Sequence, residues 1–350
     1  MKKIFIMAYL RNNLGDDLFV SELINRYPNV KFYIEVIDLK YAKAFEKNNN
    51  VEISVNSQEN FQKIDVNKYD GYVYIGGSIF MEGGQVYNLD ETCLEFMKKC
   101  KLLNKPFYYI SSNYGPYQTQ RYFDLSKETF ENCTDLCFRD KYSYELFKDI
   151  NTIRYAPDAL FAYDIGECKK EKDTIGISVI DLDIREKLRY KECEYIKFLV
   201  NNIRYYLKNK KEVYLFSFCK TEGDEKEIKK ILEKIDESDK NSVHIINYNG
   251  NINEFLDVYK KMEYMICQRF HSLVLSYICR QRFYVISYSK KIDNIIEELN
   301  LCNEFTRIEE ITSNKIIREN LFFNVEEHCL KNIKKNAMKQ FEKLDEFLKI

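Results

Sequence analysis

Arg269 and His271, in the stretch Cys267-Gln268-Arg269-Phe270-His271-Ser272, are the residues whose types and spacing best suit chemistry. Arg269 is a permanent cation with a fork of donors that matches carboxylate or phosphate. His271 is one of only three histidines, and imidazole titrates near neutral pH. The stretch lies where a short apolar run, Tyr264–Cys267, meets a dense apolar block of helical length, Leu273–Ile278. Two residues apart in an extended segment, Arg269 and His271 are expected to point to the same side. A helix beginning beneath them would add N–H groups and partial positive charge. Cation, imidazole and helix N-terminus together suit a substrate carrying phosphate or carboxylate. The plainer alternative is a histidine that merely caps a helix.

The elements that would hold this stretch alternate in type. From Lys3 to Tyr155, apolar strand-like runs alternate with amphipathic helical segments, and a second series runs from Ile175 to Leu299. Continuous apolar strands in β-α-β order imply parallel sheets covered on both faces. At 350 residues two domains are expected. We place them at residues 1–165 and 174–315, joined by a charged linker around Lys169-Lys170-Glu171-Lys172-Asp173, with a Lys-rich helical segment, 316–350, packing back on them. The expected class is α/β: two facing Rossmann-like domains with an interdomain cleft. In such sheets ligands bind at the carboxyl ends of the strands.

Further candidates fall at these strand ends. Asn13-Leu14-Gly15-Asp16-Asp17 follows the first strand; Gly15 would allow close approach by a ligand, and Asp16 or Asp17 would cap the next helix. Gly76-Gly77-Ser78, then Gly83-Gly84, follow the strand Gly71–Ile75, without the G-x-G-x-x-G spacing of a dinucleotide site. Ser111–Pro116, including Asn113, Arg139-Asp140 and Pro157-Asp158 end later strands. In the second half, Cys219 reads as structural, having one nearby cation to activate it. Tyr288-Ser289-Lys290-Lys291 opens the last helix of that domain.

Composition narrows the classes. Lys and Arg number 54 against 55 Asp and Glu, which argues against a nucleic-acid partner. Eleven scattered cysteines without C-x2-C spacing suggest neither a disulfide framework nor a metal site. No run reaches the roughly 18 apolar residues of a membrane span. We expect a cytoplasmic setting, with peripheral contact at the inner face of the membrane left open. The sequence does not fix an oligomeric state.

In their order, Asn13-x-Gly15-Asp16, Gly76-Gly77-Ser78-Ile79-Phe80, Ser111–Pro116, Arg139-Asp140-x-x-Ser143, Pro157-Asp158, Arg269-x-His271-Ser272 and Tyr288-x-x-Lys291 resemble the polysaccharide pyruvyl transferase family. Ile75 stands where many members carry a third glycine. The resemblance covers about residues 1–300. It implies a fold like the GT-B glycosyltransferases. It also implies transfer of a pyruvyl group from phosphoenolpyruvate to two hydroxyls of a sugar, giving a pyruvate ketal and phosphate without a further cofactor or metal. The acceptor would be a surface polysaccharide or its lipid-linked precursor. On that basis Arg269, His271 and Asp16 are the expected catalytic residues, His271 as general acid and Asp16 as base. Arg269, Ser272, Lys291 and Tyr288 would bind the donor. Asn13, Gly15, Gly76, Gly77, Ser78, Asn113 and Arg139 would bind the acceptor in the first domain. The alternatives are a GT-B glycosyltransferase using a nucleotide sugar, or a non-catalytic glycan-binding protein of the same fold.

Overall fold

The computed structural model describes residues 1–350 except 57, 58, 85 and 350. The chain divides into two compact units: residues 1–10, 16–163 and 332–350, and residues 11–15 and 164–331.

The first unit is built on β1 (Lys3–Met7), β2 (Lys31–Val36), β3 (Val51–Val55), β4 (Gly71–Ile75), β5 (Phe107–Ser112), β6 (Asp135–Phe138) and β7 (Ile153–Tyr155). Its helices are α1 (Leu14–Arg26), α2 (Glu91–Leu102), α3 (Gln120–Asn132) and α4 (Lys141–Phe147). The strands form one parallel sheet in the order β3-β2-β1-β4-β5-β6-β7. β4 and β5 are buried along their whole length, as their unbroken apolar runs require of strands covered on both faces. Sequence order reverses at β1 and β4, so their carboxyl ends flank the switch point where open α/β sheets take ligands.

The second unit holds β8 (Glu171–Ser178), α5 (Glu192–Lys208), β9 (Glu212–Ser217), α6 (Asp224–Leu232), α7 (Glu237–Lys240), β10 (Val243–Asn247) and α8 (Ile252–Tyr259). It continues with β11 (Met262–Cys267), α9 (Phe270–Ile278), β12 (Arg282–Ser287), α10 (Lys290–Glu298) and β13 (Phe305–Arg307). These strands also pair in parallel, in the order β10-β9-β8-β11-β12-β13, with the switch point between β8 and β11. α11 (Glu327–Ala337) and α12 (Glu342–Leu348) end the chain.

Several expectations shift. The charged run at 169–173 is not all linker: β8 begins at Glu171, whose N–H donates to the Lys261 carbonyl beside β11, and its exposed first three residues are why the run reads as linker. Residues 316–331 belong to the second unit, and only 332–350 returns to the first. There the bond network is specific. Asp345 accepts from Arg26 and from the Tyr27 hydroxyl, and Lys2 reaches the Phe347 carbonyl at 2.6 Å. Buried Gln340 accepts from Ser111 N and donates to the Ala156 carbonyl. β13 is a strand that its three-residue length hid from pattern reading. α1 starts at Leu14, so neither Asp16 nor Asp17 is its cap; Asn13 Oδ1 takes the Gly15 N–H, and both aspartates lie in the first turn, where the helix dipole favours them. Among the described residues, no helix is long and apolar enough to cross a membrane.

Candidate active site

In the second unit the carboxyl ends of β8, β9, β11 and β12 converge on one charged cluster. Arg269 is the extended residue just before α9. Its guanidinium is ion-paired to Glu222 and to Asp224. Those two carboxylates flank Gly223, whose left-handed backbone (φ 83°) turns the chain from the β9 end into α6. A Cβ there would also fall 2.3 Å from Asp181 Oδ2. Arg185, on the loop after β8, stands 3.7 Å from Glu222 and lies over the Tyr288 ring at 4.7 Å. The second oxygen of Asp224 takes the Phe218 and Cys219 N–H groups.

The electrostatics are uneven. Burial alone would raise the Glu222 carboxyl, but Arg269, then Lys291 and Arg185, outweigh it and hold it at about 2. Burial pushes Asp224 up in spite of the same Arg269, because Asp224 is fully enclosed whereas Glu222 is partly open. Burial would also raise the Tyr288 phenol, yet Lys291, Arg185 and Arg269 together pull it below its ordinary value. Three cations therefore face two carboxylates and a phenol, and the cluster carries net positive charge.

His271 departs from the expected geometry. It lies inside α9, not on an extended segment with Arg269, so alternation along a strand does not set its direction. Its place is set by Gly15, in the segment 11–15 that packs with this unit. A Cβ at Gly15 would fall 1.6 Å from His271 Nδ1, so the ring lies directly against bare backbone. That segment is fastened by Leu14 N to the Phe218 carbonyl at 3.1 Å and by the Asn13 amide to Glu222 Oε1 at 3.1 Å. Asn13 and Gly15, expected on the acceptor side of the first domain, thus stand with Glu222, Arg269 and His271. Ser272 is fully buried, and its hydroxyl and carbonyl both meet the Tyr259 hydroxyl. Its side chain holds α9 in place, and its backbone N–H lies in the helix's first turn.

In the first unit the corresponding edge holds Arg139, Asn113, Gly77 and Ser78 together. Arg139 donates to Asp158 at 2.9 Å and to Asn113 Oδ1 at 2.6 Å, and this pair is almost wholly buried. Asn113 N donates to the Gly77 carbonyl, and Ser78 Oγ donates to Asn113 Oδ1. A Cβ at Gly77 would fall 2.4 Å from the Arg139 guanidinium. Arg139 therefore shapes the 76–78 turn from within. A Cβ at Gly76 would fall 3.8 Å from Asp16 Oδ1, which puts the Asp16 carboxylate beside this turn.

Pattern reading marks the strand-to-helix junction Phe218–Asp224 but gives Glu222 and Asp224 no role, and it misses Arg185. Arg185 has no motif; only its position just past an apolar strand marked it. Burial pushes the Cys219 thiol up to about 12, which unfits it as a nucleophile. Among the described residues, no group of three or more His, Cys, Asp or Glu is arranged to hold a metal ion.

Solved structures of similar fold include Anabaena HepE in complex with UDP and glucose, with TM-score 0.57, 10% identity and full coverage of both chains. Methanocaldococcus jannaschii UDP-GlcNAc 2-epimerase, in complex with UDP-GlcNAc and UDP, has TM-score 0.53 and 13% identity, covering 98% of each chain. Glycyrrhiza uralensis UGT73P12 has TM-score 0.55 and 8% identity, covering all of this chain and 96% of the other. At these identities the likeness is one of fold, the GT-B arrangement of two Rossmann-like domains. A family model, polysaccharide pyruvyl transferase, matches residues 13–290, most of the chain and the strand-end clusters described above, with Lys291 just beyond its end. The chain belongs to the polysaccharide pyruvyl transferase family, a family of transferases.

Proposed function

We propose that this protein transfers a pyruvyl group from phosphoenolpyruvate to two hydroxyls of a sugar in a surface polysaccharide or its lipid-linked precursor. The products are a cyclic pyruvate ketal and phosphate. The observation that carries the reading is the net positive cluster of Arg185, Arg269 and Lys291 around Tyr288, beside the α9 N-terminus that bears His271. Phosphoenolpyruvate is a small, dense anion, and such a cluster offers it charge-assisted hydrogen bonds.

His271 protonates C3 of the enol as a sugar hydroxyl attacks C2. The C–O bond to phosphate then breaks, with the electron pair leaving on oxygen. The donor's own carboxylate steadies the oxocarbenium centre. The second hydroxyl closes the ketal, and the two hydroxyl protons balance those taken up at C3 and by phosphate. Asp16 is the proposed base. The uncharged groups of the first unit's edge, Gly76, Gly77, Ser78 and Asn113, suit a neutral sugar better than an anion. An acceptor bound at a membrane surface would bring the protein to the cytoplasmic face as a peripheral partner.

Thermal unfolding tests the donor. A ligand at about 100 times its Kd adds roughly 2.7 kcal/mol. Phosphoenolpyruvate should stabilise the protein, and UDP-sugars should not. Stabilisation by a UDP-sugar alone would replace this reading with glycosyl transfer. Binding of either without turnover on any glycan would favour a non-catalytic binder. His271→Ala should lower transfer about 10²–10⁴-fold, the range for a general acid, while leaving the phosphoenolpyruvate shift in place.

A further inference from the structure

Away from the charged cluster, the second unit brings two cysteines together from distant parts of the sequence. Cys168 lies on the segment before β8, and Cys279 closes the C-terminal end of α9. Cys168 Sγ donates to Cys279 Sγ at 3.1 Å. The two differ in access: Cys279 is 4% exposed, whereas Cys168 is half-buried. They open on a groove of about 610 Å³ whose wall carries four cations, Lys170, Lys172, Arg280 and Arg282, against two carboxylates, Glu171 and Glu263. Lys170 is fixed there by a hydrogen bond to the Arg280 carbonyl.

We infer that Cys168 and Cys279 form a redox modification site that is closed to an intramolecular disulfide by a small anionic disulfide such as oxidised glutathione. The basic wall draws the negatively charged reagent to the more open thiol. Cys168, as thiolate, attacks one sulfur of the reagent and expels one thiol, leaving a mixed disulfide. Cys279 then loses its proton and attacks Sγ of Cys168, expelling the second thiol. Two protein thiols and one small disulfide become one protein disulfide and two small thiols, so atoms and electrons balance. Contact with the neighbouring Cys168 thiol, then burial, holds the Cys279 thiol well above its ordinary pKa, while Lys170 and Lys260 oppose this. Cys279 is therefore suited to resolve rather than to attack first, since the thiolate is the nucleophile. The bond would tie the start of the second unit's chain to the helix whose other end carries His271.

The exposed thiols Cys193, Cys302 and Cys329 serve as controls in the same molecule. The full chain is treated with oxidised glutathione, alkylated without reductant, digested and mapped by mass spectrometry. The expected product is one peptide pair joined through Cys168 and Cys279, lighter by two hydrogens, with glutathione adducts confined to the exposed controls. Cys279→Ser should halt the reaction at a glutathione adduct on Cys168, and Cys168→Ser should leave Cys279 reduced. Oxidation should also raise Tm, reversibly with dithiothreitol, and neither Ser variant should show that rise. Alkylation of both thiols after oxidation, or a stable glutathione adduct on Cys168 in the unchanged protein, would overturn the proposal.

Discussion

Each sheet edge holds a buried arginine, and the two sit in opposite electrostatic settings. Arg139 in the first unit is matched by Asp158 and by the neutral Asn113, which makes a closed pair that supports the Gly76–Ser78 turn. Arg269 in the second unit is matched by Glu222 and Asp224, but Arg185 and Lys291 add further positive charge around the same carboxylate and Tyr288. The first arrangement is a scaffold with nothing left to neutralise. The second, under the proposed function, would be completed by the anionic donor. Similar residues at similar places in two Rossmann-like sheets therefore do different work, and the difference lies in what surrounds each arginine.

Removing either arginine strands a buried carboxylate. We expect Arg139→Ala and Arg269→Ala each to cost about 3–5 kcal/mol in urea unfolding. The comparison breaks at the next step. Arg139→Lys should keep the thermal shift given by phosphoenolpyruvate, and Arg269→Lys should lose most of it. Equal losses would show that the two edges are not divided as described.

Acidity sharpens the contrast. Behind the second edge, Glu227 is fully buried, and burial pushes its carboxyl up to about 7 even though Lys230 lies 2.9 Å away. Asp181 and Glu192 add to the rise. The folded pKa exceeds the unfolded value of 4.5, so the folded state holds this proton more tightly. The stabilisation is complete below about 4.5 and is lost as pH climbs through about 7, a change of about 3 kcal/mol. The stability of the unchanged protein relative to Glu227→Gln should fall across that window and level off above it. Burial also raises Asp158, from 3.8, so in the same substitution test its contribution should begin to fall as pH passes about 3.8. A flat difference for Glu227 between pH 5 and 7 would remove this distinction between the units.

The two added cations are only partly buried and should matter less for folding than Arg269. Arg185→Ala and Lys291→Ala should change stability by less than about 1 kcal/mol. Each should weaken phosphoenolpyruvate binding by about 1.5–3 kcal/mol, the range for a hydrogen bond to a charged group, when read by calorimetry. Loss of stability without loss of affinity would make these residues part of the scaffold, like Arg139.

How much of this was legible in the sequence depended on range. Periodicity found the strands and helices of both sheets, because each apolar run is a local signal; β4 falls on the expected residues Gly71–Ile75. The strand-end clusters were found because apolar runs stop where polar turns begin. Partnerships across the chain were not legible. Asn13 was placed with an acceptor, and its amide lies on Glu222, 209 residues away. Arg185 and Glu222 carry no motif and gain their meaning only from Tyr288 and Arg269. The pairing of Arg139 with Asp158 joins two motifs that pattern reading had noted separately.

The same device recurs at both edges and gives the finest comparison. A glycine presses its bare backbone against the side chain that matters: Gly15 against the His271 ring and Gly77 against the Arg139 guanidinium. Alanine at either place needs room that is already taken, and overpacking of this kind costs about 1–3 kcal/mol. The two should differ in kind. At Gly15 the added methyl would lie within bonding distance of a ring that begins a buried helix, so the imidazole must rotate away. Gly15→Ala should therefore lower transfer about as far as His271→Ala, while the phosphoenolpyruvate shift, which depends on Arg269, Arg185 and Lys291, survives. In a His271→Ala background the clash partner is gone, and Gly15→Ala should then cost less than about 0.5 kcal/mol in urea unfolding. That non-additivity would identify the contact itself as the cause. At Gly77 the neighbour is the end of a long side chain held by two hydrogen bonds, so the cost falls on the Arg139–Asp158 pair and on stability, with the donor shift unchanged. If Gly15→Ala costs the same with and without His271, then Gly15 serves the α1 turn alone, and the placing of His271 must come from α9.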